Sequence, residues 1–133
     1  MSDQSTLRAM GALKGLTKFL DLTADNTVAS IKPATGKLYF LQVTNPNTED
    51  VWVQLFDDLV ATIVSAGLGT AVPKLTFCIP AGGGAGHETV WNPIEMPVSP
   101  VEFETAITYA VTTTKDGNTA PTLDVVINAL HAH

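Results

Sequence analysis

A chain of 133 residues is long enough for one domain whose core needs neither disulfides nor a metal. Its single cysteine, Cys78, excludes an intramolecular disulfide, and no run of residues approaches the ~20 apolar positions that span a bilayer. The net charge of −6 repels a phosphate backbone. We therefore expect neither a membrane nor a nucleic acid among its partners.

Residues 1–24 are predicted to form an N-terminal arm. Leucines and a methionine recur there at steps of three and four, which is helical spacing, although Gly11 and Gly15 each weaken a helix by about 1 kcal/mol. We expect the arm to be partly helical or folded back on its own domain. It has no basic start followed by a long apolar run, so we expect no signal peptide and assembly in a cytoplasm.

The charge of the chain is unevenly spread. Residues 1–37 carry five cations and three acids, whereas residues 38–133 carry two cations and ten acids. One interpretation is that these charges are scattered over the surface and have no specific role. The alternative hypothesis is that the basic N-terminal arm contacts an acidic neighbouring protein.

Residues 25–133 are predicted to form one β-domain. Apolar and polar residues alternate in residues 37–45 and again in 50–57, which predicts two strands. Residues 45–48, Asn-Pro-Asn-Thr, are typical of a turn, so we expect these strands to form a β-hairpin. Residues 59–71 fit either a short helix or a strand.

The second half of the chain continues this pattern of short strands. Prolines bound two of the segments, which favours a sheet edge, and Asp116-Gly117 is a hairpin-type turn signal. The predicted strands are residues 74–79, 87–91, 94–98, 102–114 (with Thr108 and Thr112 facing out) and 122–130. Seven or eight strands without βαβ alternation predict an all-β fold, an antiparallel β-sandwich or jelly roll.

Two features suggest ligand binding. The glycine loop at residues 82–86 lacks the lysine and the helix of a phosphate-binding loop, because a strand pattern follows it. His131 and His133 are two apart, so on a strand they share a face, and with His87 or Glu88 they provide the ligand types of a transition-metal site. The end of a chain usually frays, which argues against such a site. The sequence predicts no cofactor, and metal binding by the two histidines stays a second interpretation.

No set of residues has the pattern of a catalytic site. The acids Asp57-Asp58 follow a predicted strand, and Glu102 and Glu104 lie on an outward face, where acids are usually solvated. None of the serines has a nucleophile-elbow context. Cys78 is interpreted as a small, partly buried hydrophobe. We expect the chain not to be an enzyme.

The two tryptophans complete the candidate contact residues. A tryptophan on a strand is most often a core or protein-interface residue. Aromatic rings on a sheet face also stack on sugars, so a carbohydrate-binding module is an alternative. The predicted protein-interface residues are Leu7, Arg8, Met10, Leu13, Lys14, Leu16, Lys18, Phe19, Trp52 and Trp91.

In residue composition and in their order along the chain, several stretches resemble those of small structural proteins of tailed bacteriophages. The stretches are residues 31–39, 43–47, 51–57, 75–83 and 106–113, within residues 27–130. The resemblance implies a jelly-roll capsid decoration (cement) protein, which forms trimers on the outside of a phage head and bridges major capsid proteins. It therefore implies the virion as location, with a tail or head–tail accessory protein as the alternative. Residues 59–68 are more apolar than the family's usual loop.

Overall fold

The computed structural model describes residues 15–95 and 99–133. In these ranges the chain forms nine strands and one short helix, separated by connections rich in turn-forming residues. The elements are β1 (Thr17–Ala24), β2 (Ala29–Lys32), β3 (Gly36–Asn45), β4 (Val51–Phe56), α1 (Val60–Ala66), β5 (Leu75–Ile79), β6 (Thr89–Ile94), β7 (Val101–Phe103), β8 (Ile107–Thr112) and β9 (Val125–Ala132).

The strands form two antiparallel sheets that face each other. Sheet A has the order β1-β9-β3-β6, with β7 also paired to β3, and sheet B has the order β2-β8-β4-β5. From β1 to β4 the chain changes sheet at every connection, and it crosses again from β5 to β6, from β7 to β8 and from β8 to β9. Apart from the short β7, this is the strand order of a jelly roll. The predicted all-β sandwich is confirmed.

The main core lies between the sheets. Every second side chain of a strand points inward, and burial of each large apolar side chain contributes about 1.5–3 kcal/mol. Fully buried members include Leu38, Leu41 and Val43 of sheet A and Val53, Leu55 and Ile107 of sheet B. Cys78 is a free thiol, so this burial and the sheet hydrogen bonds hold the fold.

A second, smaller core covers the outer face of sheet B. Phe56 and Ala110 point outward from β4 and β8, and both are fully buried because Ile63 of α1 packs on them. The ambiguous segment 59–71 is therefore a helix, which ends at Gly67 (φ 92°). Within the described ranges, no helix has the length and apolar character needed to cross a membrane.

The predicted hairpin of β3 and β4 is wrong. Both strands exist, but β3 belongs to sheet A and β4 to sheet B, so residues 46–50 cross between the sheets. Asn45 and Asn47 are buried in this crossing: the Asn45 side chain donates to the Pro80 carbonyl (3.0 Å), and the Asn47 side chain donates to the Leu123 carbonyl (3.0 Å). These two asparagines therefore hydrogen-bond the connection between β3 and β4 to the segments that contain Pro80 and Leu123.

The single strand predicted over residues 102–114 is also two strands in different sheets. β7 pairs with β3 in sheet A, and β8 pairs with β2 and β4 in sheet B. Thr108 and Thr112, expected to face solvent, are fully buried, because the outer face of sheet B is covered. Asp116-Gly117 does form a turn, but β8 and β9, which flank it, lie in different sheets, so it closes no hairpin.

The proline-bounded segment at residues 87–91 contributes to a strand at a sheet edge, and Ile94, the first residue of the second segment (94–98), is the last residue of the same strand. β6 runs through Pro93 and pairs with β3, and it is the last strand in the order of sheet A. A proline is tolerated there because an edge strand need not donate every backbone hydrogen bond. Residues 96–98 lie outside the described ranges.

The predicted arm begins outside the described residues and ends inside the sandwich. Residues 1–14 are not described, so the helical prediction for Leu7, Met10 and Leu13 is not addressed. From Thr17 onward the helical interpretation is wrong, since Thr17–Ala24 is strand β1, antiparallel to β9. A few leucines at steps of three and four are only a weak signal for a helix. The backbone hydrogen bonds that this segment makes as a strand at the sheet edge decide its structure instead.

Candidate protein-binding surface

The outer face of sheet A carries large apolar side chains that are exposed to solvent. We define the sheet A face by the outward side chains of β1, β3, β6 and β9. Leu20, Leu22 and Val90 on it are 50%, 63% and 54% exposed. Apolar side chains grouped in this way mark interaction surfaces. The members are Lys18, Leu20, Leu22, Lys37, Phe40, Gln42, Thr44, Val90, Val126, Asn128, Leu130 and Ala132.

Strand register arranges the sheet A face in rows. Residues opposite each other in antiparallel strands share a face and lie about 4.5–5.5 Å apart. A row with two polar amides lies between two rows that are mainly apolar. The rows are Lys18, Leu130 and Phe40; Leu20, Asn128 and Gln42; and Val126, Thr44 and Val90.

The outer side of sheet A carries slightly more positive than negative charge, although the chain is acidic. The carboxylates of its five described strands are Asp21, which points into the sandwich opposite Ile127, and Glu102 of β7, which is opposite Lys37 on the outer side. Lys18 and Lys37 provide positive charge on the face, and Lys37 contacts Glu102 of β7 at 3.7 Å. Most acids of the described residues therefore lie outside the strands of sheet A.

The edge strand β1 is anchored to the core by two side chains. Phe19 packs edge-to-face on Tyr109, with ring centroids 5.7 Å apart, and the Tyr109 hydroxyl donates a hydrogen bond to Asp21 Oδ2. Burial raises the pKa of Tyr109 above its usual value, and the Asp21 carboxylate raises it further. The tyrosine therefore stays protonated and keeps donating, which holds β1 and its outward leucines in place.

Of the eight predicted contact residues of the arm, three lie within the described residues. The other five, Leu7, Arg8, Met10, Leu13 and Lys14, lie outside the described residues. Of the three, Lys18 lies on the sheet A face, Leu16 is half-buried just before β1, and Phe19 points into the core. Their role in an interface stays a prediction.

The two tryptophans do not form one surface. Trp52 lies on the outer face of sheet B, opposite Thr112 and Cys78, and is partly buried. Trp91 lies on edge strand β6 and is 51% exposed. Trp91 is therefore the more exposed of the two rings, and a role of either tryptophan in an interface stays a prediction.

The histidines are separated by the end of β9. His131 points inward and is 9% exposed, and its Nδ1 has no hydrogen-bond partner among the described residues. Burial lowers the pKa of His131, and nearby Lys32 and His133 lower it further. His133 lies beyond the strand, where its Nδ1 accepts a hydrogen bond from Lys32 Nζ (2.8 Å). In residues 15–95 and 99–133 no three His, Cys, Asp or Glu side chains are placed to hold a metal ion.

Asp57 has a structural role that the sequence did not indicate. Its carboxylate accepts hydrogen bonds from the backbone N–H groups of Glu104 (3.0 Å), Thr105 (2.8 Å) and Ala106 (3.4 Å), in the connection that crosses from β7 to β8. Partial burial acts to raise the pKa of Asp57, but these hydrogen bonds and nearby Lys74 outweigh it, so the pKa lies below its usual value. Asp57 therefore caps a sheet crossing.

The glycine loop and Cys78 are also explained by the fold. Gly82 donates to the Asn47 carbonyl (2.7 Å), and a Cβ at this position would lie 2.3 Å from the Asn45 carbonyl oxygen, so only glycine fits. Cys78 is half-buried on β5, and its pKa is raised by burial and then by Asp50. A raised pKa keeps the thiol protonated and unreactive.

Comparisons of the chain with protein family models, with curated proteins and with solved structures find no match. The interpretation of the sheet A face consequently depends on its own chemistry. Leu20, Leu22 and Val90 were not among the predicted contact residues. The signal for the leucines was the alternation in β1, where Leu20 and Leu22 are two residues apart and alternate with Phe19 and Asp21.

Proposed function

We propose that this chain is a non-enzymatic structural protein of a virion, a capsid decoration protein that binds the outside of a phage head and stabilises it. Its partners in this proposal are the major capsid protein and further copies of itself, in a trimer. It needs no cofactor, and it assembles with the capsid in the cytoplasm of the host bacterium.

The observation that best supports the proposal is the sheet A face, which exposes large apolar side chains on a stable β-sandwich. Exposed apolar side chains on a stable sheet are suited to binding another protein surface. Asp57 caps a sheet crossing, Asp21 holds β1, and His131 points into the core. A jelly-roll scaffold and the resemblance to phage structural proteins support a virion role.

Two measurements test the proposal. Light scattering gives the mass of the chain in solution, and we expect an oligomer. Co-sedimentation then uses empty capsids assembled from the major capsid protein encoded in the same genome, and we expect the chain to pellet at a fixed ratio. A monomer that stays in the supernatant contradicts the decoration role.

The arm and the tail alternative are tested with the same material. A chain that lacks residues 1–14 is expected to pellet less completely, and unchanged pelleting would exclude the arm from the contact. Antibodies against the chain are expected to label phage heads. Label on tails alone would favour a tail accessory protein.

The exposed ring of Trp91 favours one function of another class, carbohydrate binding. A half-exposed aromatic ring on a sheet edge can stack on the apolar side of a sugar. A glycan array compares the chain with its Trp91→Ala variant, and the decoration proposal expects no binding by either. Binding that the variant loses would favour a carbohydrate-binding module.

A further inference from the structure

The two broad sides of the sandwich differ in what they offer to a partner. On the sheet B side, α1 closes over Phe56 and Ala110, so the underlying apolar surface is already used. On the sheet A side, Leu20 and Leu22 are at least half exposed on a strand that Tyr109 anchors. The sheet A face therefore offers a flat, well-ordered apolar surface, in which binding orders few new groups and so loses little entropy.

Charge further distinguishes the sheet A face. Lys18 and Lys37 point outward from sheet A, and the outward carboxylate on its described strands is Glu102 of β7, which is opposite Lys37 and pairs with it at 3.7 Å. This side therefore has a small excess of positive charge in a chain of net charge −6. An acidic partner surface is attracted to this face and repelled by the remaining, acidic sides. Complementary charge of this kind fixes orientation and accelerates association.

The size of the face argues against a second copy as its occupant. Four strands about 4.8 Å apart, each about eight residues long at about 3.3 Å per residue, give about 500 Å². Two copies packed through this face would bury about 1,000 Å² in total, less than the roughly 1,200–2,000 Å² of stable specific interfaces. A contact of this size is sufficient on a shell, where an oligomer engages several sites at once and gains avidity.

We infer that the sheet A face is the surface that contacts the capsid shell, and that the shell site it fits is apolar and bordered by carboxylates. This inference rests on the proposed decoration function. It places α1 and the covered face of sheet B away from the shell.

A pair of variants matched in exposure tests the inference. Leu22 on the sheet A face is 63% exposed, and Val64 on α1 is 61% exposed. With empty capsids of the same genome as the probe, Leu22→Asp is expected to bind at least about tenfold more weakly, since it places a charge in an apolar contact. Val64→Asp is expected to bind within about twofold of the unchanged chain, since surface changes away from a contact have small effects.

A charge variant provides a second line of evidence. Lys18→Glu is expected to weaken capsid binding several-fold at low salt, and the loss should shrink in about 1 M salt, where the Debye length is about 3 Å. Thermal unfolding and light scattering verify that each variant keeps its fold and mass.

The outcomes separate this inference from the proposed function. If the unchanged chain does not bind capsids, both fail. If it binds and Leu22→Asp and Lys18→Glu bind equally well, the decoration function stands and the sheet A face is excluded as the contact. Loss of binding by Val64→Asp alone would place the contact on α1. A reduced oligomer mass for Leu22→Asp would mean that this face joins copies of the chain, which also overturns the inference.

Discussion

Strands β3 and β4 each point one phenylalanine and one glutamine away from the main core, but only those of β4 are fully buried. Phe40 and Gln42 of β3 lie on the sheet A face and are partly exposed, whereas Gln54 and Phe56 of β4 are fully buried. Phe56 is covered by α1, and Gln54 donates to Thr112 Oγ1 (2.9 Å) and to the Gly117 carbonyl (3.0 Å). The burial of an outward side chain is therefore decided by which later segment crosses its sheet.

This difference also separates stability from binding. The outer face of sheet B gains free energy from burying its apolar residues within the chain. The outer face of sheet A leaves apolar surface in water, which contributes nothing to the folding of a single copy and remains available to a partner. The predictions below test this contrast.

The largest expected effect is on the covered side. Phe56→Ala should lower the free energy of unfolding by about 3–5 kcal/mol, because it leaves a cavity between β4 and α1. Phe40→Ala should cost about 1 kcal/mol or less, since its ring is already partly in water. Urea unfolding measures both, and similar losses in the two variants would show that the sheet A face is as well covered as sheet B.

A smaller loss is expected for Asp57→Asn, at the crossing between the sheets. Hydrogen bonds to a charged group contribute about 1.5–3 kcal/mol, so the variant should lose about 2 kcal/mol near pH 7. Because the folded-state pKa of Asp57 is lowered from 3.8, its contribution is present above pH 4 and disappears as the pH falls through the folded value. Unfolding curves from pH 7 to pH 2.5 should show the gap between the two proteins closing.

Asp58→Asn is the control for this experiment, because Asp58 follows Asp57 and only its backbone carbonyl takes part in the contact with Thr108. Asp58→Asn should change stability by no more than about 0.5 kcal/mol. A gap between Asp57→Asn and the unchanged chain that stays constant with pH would refute the capping role.

The smallest effect is expected on the inner face of sheet A, at His131. Its folded-state pKa is lowered from 6.5, so the unfolded chain binds the proton more readily and stability falls as the pH drops below 6.5. His131→Leu should remove this decline, and His133→Leu, at an exposed position, should keep it. Thermal unfolding between pH 7.5 and pH 5.0 measures the slopes, and equal slopes for the unchanged chain and His131→Leu would contradict the assignment.

The sequence by itself determined most strands and which side chains of a strand share a face. Alternation identified β3, β4, β5 and β9, grouped Leu41 with Val43, and placed Ile127 inward, because a period of two is a local property of the backbone. The proline in β6 likewise indicated an edge strand. The all-β class followed from these signals, since the predicted strands do not alternate with helices along the chain.

Only the tertiary structure decided which strand pairs with which, and therefore which face stays exposed. Turn residues look alike whether the chain folds back within a sheet or crosses to the other one, so residues 45–48 predicted a hairpin that does not exist. One neighbour of β3 is β9, more than 80 residues later, and no local pattern encodes a contact at that distance. For the same reason the exposed leucines of β1 could not be recognised as a surface until β9 and β3 were placed beside them.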